Sequence, residues 1–161
     1  MIVELPTPAA TEALGRDIAS VLAAGDHGLL MTLAGELGAG KTALVRAILV
    51  ALGHEGVVVS PSYTLIEPYS IEARQVFHLD LYRLGDAEEL EYLGVRDLRP
   101  ERDWIFVEWA ERGQGYLPPP DIALDLTYLA DGRQAELSAR SAFGRELLTK
   151  LQRLESIAST T

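Results

Sequence analysis

The chain has 161 residues, which suits one domain over residues 1–161, and its apolar runs are far short of the roughly 20 residues that span a bilayer, so no membrane contact is expected. With 14 Lys+Arg against 24 Asp+Glu, the formal net charge of -10 has the wrong sign for gripping a phosphodiester backbone directly. No cysteine is present, which excludes disulfides and a cysteine nucleophile; Met1 to Pro8 show no basic segment leading into an apolar stretch, so a cytoplasmic protein is expected.

Thr7-Pro8 followed by Ala10, Leu14, Ile18, Val21 and Leu22 predicts a first helix with Thr7 as N-cap and Gly25 as C-cap. Leu29 to Ala34 predicts a short buried strand, and Leu44, Val45, Ile48, Leu49 and Leu52 a helix closed by Gly53, with a glycine-rich turn between the two. Val57 to Ser60 reads as a β-branched strand running into Pro61, and Gln75 to Leu81 as another that carries one acid, Asp80. Asp86 with Glu89 has the spacing of a capping box opening a short acidic helix that stops at Gly94. Trp104-Ile105-Phe106-Val107-Glu108 is a buried-strand pattern ending in a carboxylate. Past Pro118-Pro119-Pro120, Ile122 to Leu129 and Arg133 to Ala139 alternate around Asp131-Gly132 as a hairpin, and Gly144 to Ser156 predicts a closing amphipathic helix.

The turn Gly35-Glu36-Leu37-Gly38-Ala39-Gly40-Lys41-Thr42 matches G-x-x-x-x-G-K-[ST] without a mismatch, in the required place between strand and helix. In such a loop the glycines let successive N–H groups point inward, the helix N-terminus adds positive potential, the lysine neutralises β/γ oxygens and the hydroxyl ligates Mg²⁺. Only two of the basic residues are lysines, Lys41 and Lys150, and one of them stands inside this turn. The pattern predicts a P-loop that binds a nucleoside triphosphate, ATP with Mg²⁺. The acid that such a site requires comes from the carboxyl end of a neighbouring strand, where Asp80 and Glu108 are both candidates for metal support. Which of the two activates water stays open. His78, two residues before Asp80, reads as a hydrogen-bonded packing residue. Ser60-Pro61-Ser62-Tyr63-Thr64 offers hydroxyls for a switch-like segment, or is an ordinary turn. Trp109 could stack on a base or partner, or fill the rim of the core.

The chain contains no asparagine, so the Asn-Lys-x-Asp guanine-reading motif cannot exist, and no transporter signature or arginine-rich lid is visible. Several separated motifs resemble the TsaE (YjeE) family: Thr11 with Gly15, the Gly35 to Thr42 loop, Ser60-Pro61-Ser62-Tyr63-Thr64-Leu65, His78-Leu79-Asp80-Leu81-Tyr82-Arg83-Leu84 and Val107-Glu108-Trp109. The likeness runs from about Thr11 to Arg133. It implies a P-loop NTPase of α/β class with three layers, a mostly parallel central sheet and an antiparallel hairpin at one end. It also implies an Mg-dependent ATPase accessory to TsaD and TsaB in forming threonylcarbamoyladenosine at position 37 of tRNA, with the tRNA bound only indirectly. By position, Lys41, Asp80 and Glu108 would be catalytic, and Thr42, Asp80 and Glu108 would hold the metal. Glu36, Leu37, Gly38, Ala39, Gly40, Lys41, Thr42 and Ala43 would wrap the phosphates, with Thr11 and Arg133 near the nucleotide. Ser62 stands where the family usually has threonine. A small-molecule kinase and a nucleotide-dependent scaffold that needs no hydrolysis are the rival readings.

Overall fold

A computed structural model describes residues 1–158. Its elements are β1 (Ile2–Leu5), α1 (Pro8–Ala23), β2 (Leu29–Gly35), α2 (Lys41–Ala51), β3 (Ile66–Ile71), β4 (Arg74–Asp80), α3 (Glu89–Tyr92), β5 (Trp104–Glu108), β6 (Ile122–Leu129), β7 (Gly132–Ala139) and α4 (Ala142–Ala158). The strands form one seven-stranded sheet in the order β1-β7-β6-β2-β5-β4-β3. The pairs β6–β2, β2–β5 and β5–β4 are parallel, whereas β1–β7, β7–β6 and β4–β3 are antiparallel. The expected hairpin therefore closes one end, but a second antiparallel pair closes the other, and the sheet is evenly mixed rather than mostly parallel.

Successive strand residues point to opposite faces, and both faces of the central strands are covered. Leu29, Met31, Leu33, Val76 and Phe106 pack with residues of α1, α2 and α4 in one apolar core. Leu30, Leu79, Ile105 and Val107 face the other way, onto Leu84, Leu90, Val95 and Leu98 from the segment around α3. The sheet is thus the middle of three layers. Asp80 and Glu108 share the strand parity of Val76 and Phe106, so both acids lie on the face that carries α2.

Local chemistry explains most element ends. Thr7 caps α1, its side chain accepting from the Ala10 N–H at 3.2 Å with Pro8 at the first helical position. Gly25 is not the left-handed cap: α1 ends on Ala24 in the right-handed region, the Ala24 N–H donating to the Ser20 carbonyl and the Gly25 N–H to the Leu22 carbonyl. In the acidic segment Glu89 reaches back to the Asp86 N–H at 2.8 Å, yet regular helix covers only Glu89–Tyr92 before Gly94 turns left-handed. Val57–Ser60 is not a strand. Val57 is 84% exposed, and the edge of the sheet at this end is β3, with no further strand among the described residues paired to it. The strands β1 and β3 were not expected. β3 carries Pro68, which is tolerated because an edge strand is paired on one side only. The closing helix begins two residues before the expected Gly144.

The helices α1 and α2 cross at Gly15, where an added Cβ would stand 2.5 Å from Ala47 Cβ. Helix propensity favours Ala over Gly by at most about 1 kcal/mol, less than the 1–3 kcal/mol typical of overpacking. Replacement of Gly15 by Val should therefore lower stability by about 2 kcal/mol, seen as a lower urea midpoint at unchanged m-value; an unchanged midpoint would show that the helices separate without cost.

Candidate functional site

The register of the parallel strands brings the site together. Asp80 on β4 pairs with Glu108 on β5, and Glu108 pairs with Leu33 on β2, two residues before the turn at Gly35. Three strands therefore end at one level, beneath the N-terminus of α2. Gly35 takes φ 138°, and a Cβ there would overlap the Leu126 carbonyl oxygen of β6, so only glycine lets the chain leave the strand at this point. Gly40 caps α2 at φ 108°.

The loop from Gly35 to Thr42 has the features of an anion cradle. The Ala39 N–H donates to the Glu36 carbonyl and the Leu44 N–H to the Gly40 carbonyl, but the N–H groups of Gly38, Gly40, Lys41, Thr42 and Ala43 find no acceptor among the described residues. These free donors point their positive ends out at a helix start. Lys41 is buried at 4% exposure, its ammonium donating to the carbonyls of Gly35 at 2.7 Å and Glu36 at 2.9 Å and lying 4.4 Å from the Trp109 ring centroid. Burial pushes its pKa below the ordinary lysine value, while the negative charges of Glu108, Asp80 and Glu111 oppose that shift.

The two acids are also buried and held. Glu108 Oε1 accepts from Thr42 Oγ1 and His78 Nε2, each at 2.8 Å, and Glu108 Oε2 takes no protein hydrogen bond among the described residues. Asp80 Oδ1 accepts from the Tyr82 N–H at 3.0 Å and Oδ2 from Ser62 Oγ at 3.3 Å; Ser62 is in turn bonded to Ser60. The Ser60 to Thr64 stretch thus touches the acid directly. Thr42 Oγ1, two carboxylates and serine hydroxyls form an all-oxygen donor set of the kind that suits Mg²⁺. No group of three or more His, Cys, Asp or Glu side chains among the described residues could hold a metal without further ligands.

These groups line a cleft of about 330 Å³ that includes Lys41, Thr42, Ser60, Asp80, Arg83 and Trp109. Behind the loop lies a second cavity of about 630 Å³, which shares Gly38, Gly40 and Ala43 with the first and adds Thr11, Arg46 and Arg133. The predicted site residues divide accordingly. Lys41, Thr42, Ala43, Asp80 and Glu108 converge on the first cleft, and Thr11 and Arg133 line the second cavity. Ala39 turns into the core at 0% exposure, and Glu36 contributes its carbonyl to Lys41. Sequence reasoning missed Tyr128, whose hydroxyl donates to the Leu37 carbonyl at 3.4 Å, while Arg133 reaches the Gly38 carbonyl at the same distance. Both come from the β6–β7 hairpin. Trp109, which the sequence offers as a stacking or rim residue, takes a left-handed backbone, φ 56°, and packs on Tyr82 with ring centroids 5.0 Å apart.

Comparison with known proteins shows the family. Residues 5–137 match the family model described as threonylcarbamoyl adenosine biosynthesis protein TsaE. The chain is 44% identical over 124 residues to the TsaE protein of Haemophilus influenzae, spanning 77% of this chain and 78% of that one. It is 30% identical over 140 residues to the TsaE protein of Bacillus subtilis, spanning 81% and 85%. The crystal structure of Bacillus subtilis YdiB superposes with a TM-score of 0.80 at 25% identity, covering 96% of this chain and 95% of that one. A family model over most of the sequence, with relatives this similar over most of their length, places the chain in the TsaE family of threonylcarbamoyl adenosine biosynthesis proteins.

Proposed function

We propose that this chain is a P-loop ATPase of the cytoplasm, which hydrolyses Mg·ATP as an accessory to TsaB and TsaD homologues in forming threonylcarbamoyladenosine on tRNA. The observation that carries the reading is the convergence of five unpartnered amides, Lys41, Thr42, Asp80 and Glu108 on one cleft. The amides and Lys41 supply positive charge where the β- and γ-phosphates would lie, and the second cavity, with Thr11 and Arg133, has room for the nucleoside. Thr42 and Asp80 fit the metal, which when bound neutralises phosphate charge in the way common to this reaction class. Glu108 Oε2, free of donors among the described residues, would orient a water and take its proton as that water bonds to the γ-phosphorus and the bond to the β-phosphate oxygen breaks. The net charge of -10 fits a protein that leaves direct grip on tRNA to its partners.

Separate residues carry binding and turnover in this scheme. Lys41→Ala should weaken ATP binding at least about tenfold by calorimetry, while Glu108→Ala should keep binding and lose at least about 100-fold in phosphate release. Release of a phosphorylated small molecule from labelled ATP, with no partner protein present, would instead mark a kinase.

The donor count makes a further demand. With two carboxylates and hydroxyls alone, Mg²⁺ should bind saturably only when ATP supplies phosphate oxygens, as titration calorimetry with and without nucleotide would show. Tight Mg²⁺ binding to the free protein would contradict the ligand assignment. For the partners, co-purification with TsaB and TsaD homologues should depend on added ATP; no association under any nucleotide condition would remove the partner assignment.

A further inference from the structure

We infer that His78 is a positioning residue, which holds Glu108 Oε1 so that Oε2 alone faces the cleft. The inference rests on the proposed role of Glu108. His78 has 0% exposure, and its Nε2 lies 2.8 Å from Glu108 Oε1. An ionised carboxylate only accepts hydrogen bonds, so Nε2 carries the hydrogen whatever the charge of the ring. The ring's other nitrogen, Nδ1, is buried without a partner among the described residues. Leaving a polar atom in that state costs about 1–3 kcal/mol, which an apolar side chain in the same slot would avoid. The slot is apolar on two sides, since Val76 on the same face of β4 and Phe106, the β5 partner of His78, are both fully buried, while Asp80 follows two residues along the same face. A histidine kept there at such a cost has one visible use, the bond from Nε2.

The geometry gives that bond a consequence. Thr42 Oγ1 donates to the same Oε1 at 2.8 Å, so this oxygen accepts two hydrogen bonds, one from the start of α2 and one from β4. Thr42 is also the hydroxyl assigned to the metal, so its hold on Glu108 is shared with another task. His78 has no such second task. It is fixed by strand pairing on both sides, to Glu67 of β3 and Phe106 of β5, and its ring keeps the Glu108 side chain in one orientation through the cycle.

Three His78 variants, their comparison with Glu108 variants, and one spectrum test this. His78→Leu and His78→Asn should slow single-turnover ATP hydrolysis about 10–100-fold while ATP affinity stays within about twofold, the size of loss usual when the partner that orients a reacting group is removed. His78→Gln, whose side-chain amide reaches the Nε2 position, should retain a rate at least about tenfold above His78→Asn, whose amide stops near Nδ1. Asn and Gln bring similar polarity into the slot, so equal rates for the two, or a full rate for His78→Leu, would overturn the inference. In the double variant with Glu108→Ala, His78→Leu should add no further loss. Long-range ¹H–¹⁵N spectra of the nucleotide-free protein should show hydrogen on Nε2, with the Nε2 signal shifting in Glu108→Gln; a ring with no hydrogen on Nε2 would also overturn it. A Glu108→Ala protein that hydrolyses ATP at the full rate would refute the role of Glu108 itself, whereas a slow Glu108→Ala with unaffected His78 variants would refute only the positioning role.

Discussion

The parallel register of β2, β5 and β4 is the constraint on which the site depends. It sets Asp80 beside Glu108 and brings both level with the last turn of β2, so the two acids and the glycine loop meet without any contribution from a long or mobile segment. A shift of one residue in either pairing would send the acids to the opposite face, into the apolar layer of Leu79, Ile105 and Val107. Burial on both faces of these central strands is what prevents such a slip. The antiparallel edges are freer, and they serve the site differently: the β6–β7 hairpin reaches back to the loop through Tyr128 and Arg133.

Charge arrangement at the tip follows from that register. Lys41, Asp80 and Glu108 are each 5% exposed or less, and a buried ion is tolerated only when its neighbours compensate it. Two backbone carbonyls and the Trp109 ring serve Lys41; Thr42, His78, Ser62 and the Tyr82 N–H serve the acids. The ammonium is turned onto its own loop, and burial disfavours its charged form. A phosphate in the cleft would supply the opposite charge that the loop carbonyls only partly replace, so binding energy and the organisation of the site are coupled.

How far the sequence reveals this depends on the distance over which each feature is decided. The loop, its flanking strand and helix, and the acids at the tips of β4 and β5 are local patterns, and they are where periodicity and motif place them. The strand β3 is hidden because Pro68 reads as a breaker, although an edge strand accommodates it. Val57 to Val59 shows the reverse error: three β-branched residues look like a strand, but without a neighbour to pair with they remain irregular and Val57 stays in solvent. The hydrogen bond from His78 to Glu108 crosses 30 residues and two strands. Spacing along the chain places His78 on the face of Asp80 and says nothing of its partner. Family resemblance brings Thr11 and Arg133 toward the nucleotide, but only the folded chain shows that they line a separate cavity behind the loop.

In the proposed function, ATP hydrolysis at this cleft drives the modification of tRNA, rather than nucleotide binding alone setting an assembly. It is tested most directly by reconstituting threonylcarbamoyladenosine formation on tRNA with TsaB and TsaD homologues, ATP and either the wild-type chain or Glu108→Ala, and counting products per complex over time. Turnover should be sustained with the wild-type chain and should arrest after about one round with Glu108→Ala, because the nucleotide is then bound but not cleaved. Equal yields from the two proteins would contradict it and would make the chain a nucleotide-dependent scaffold.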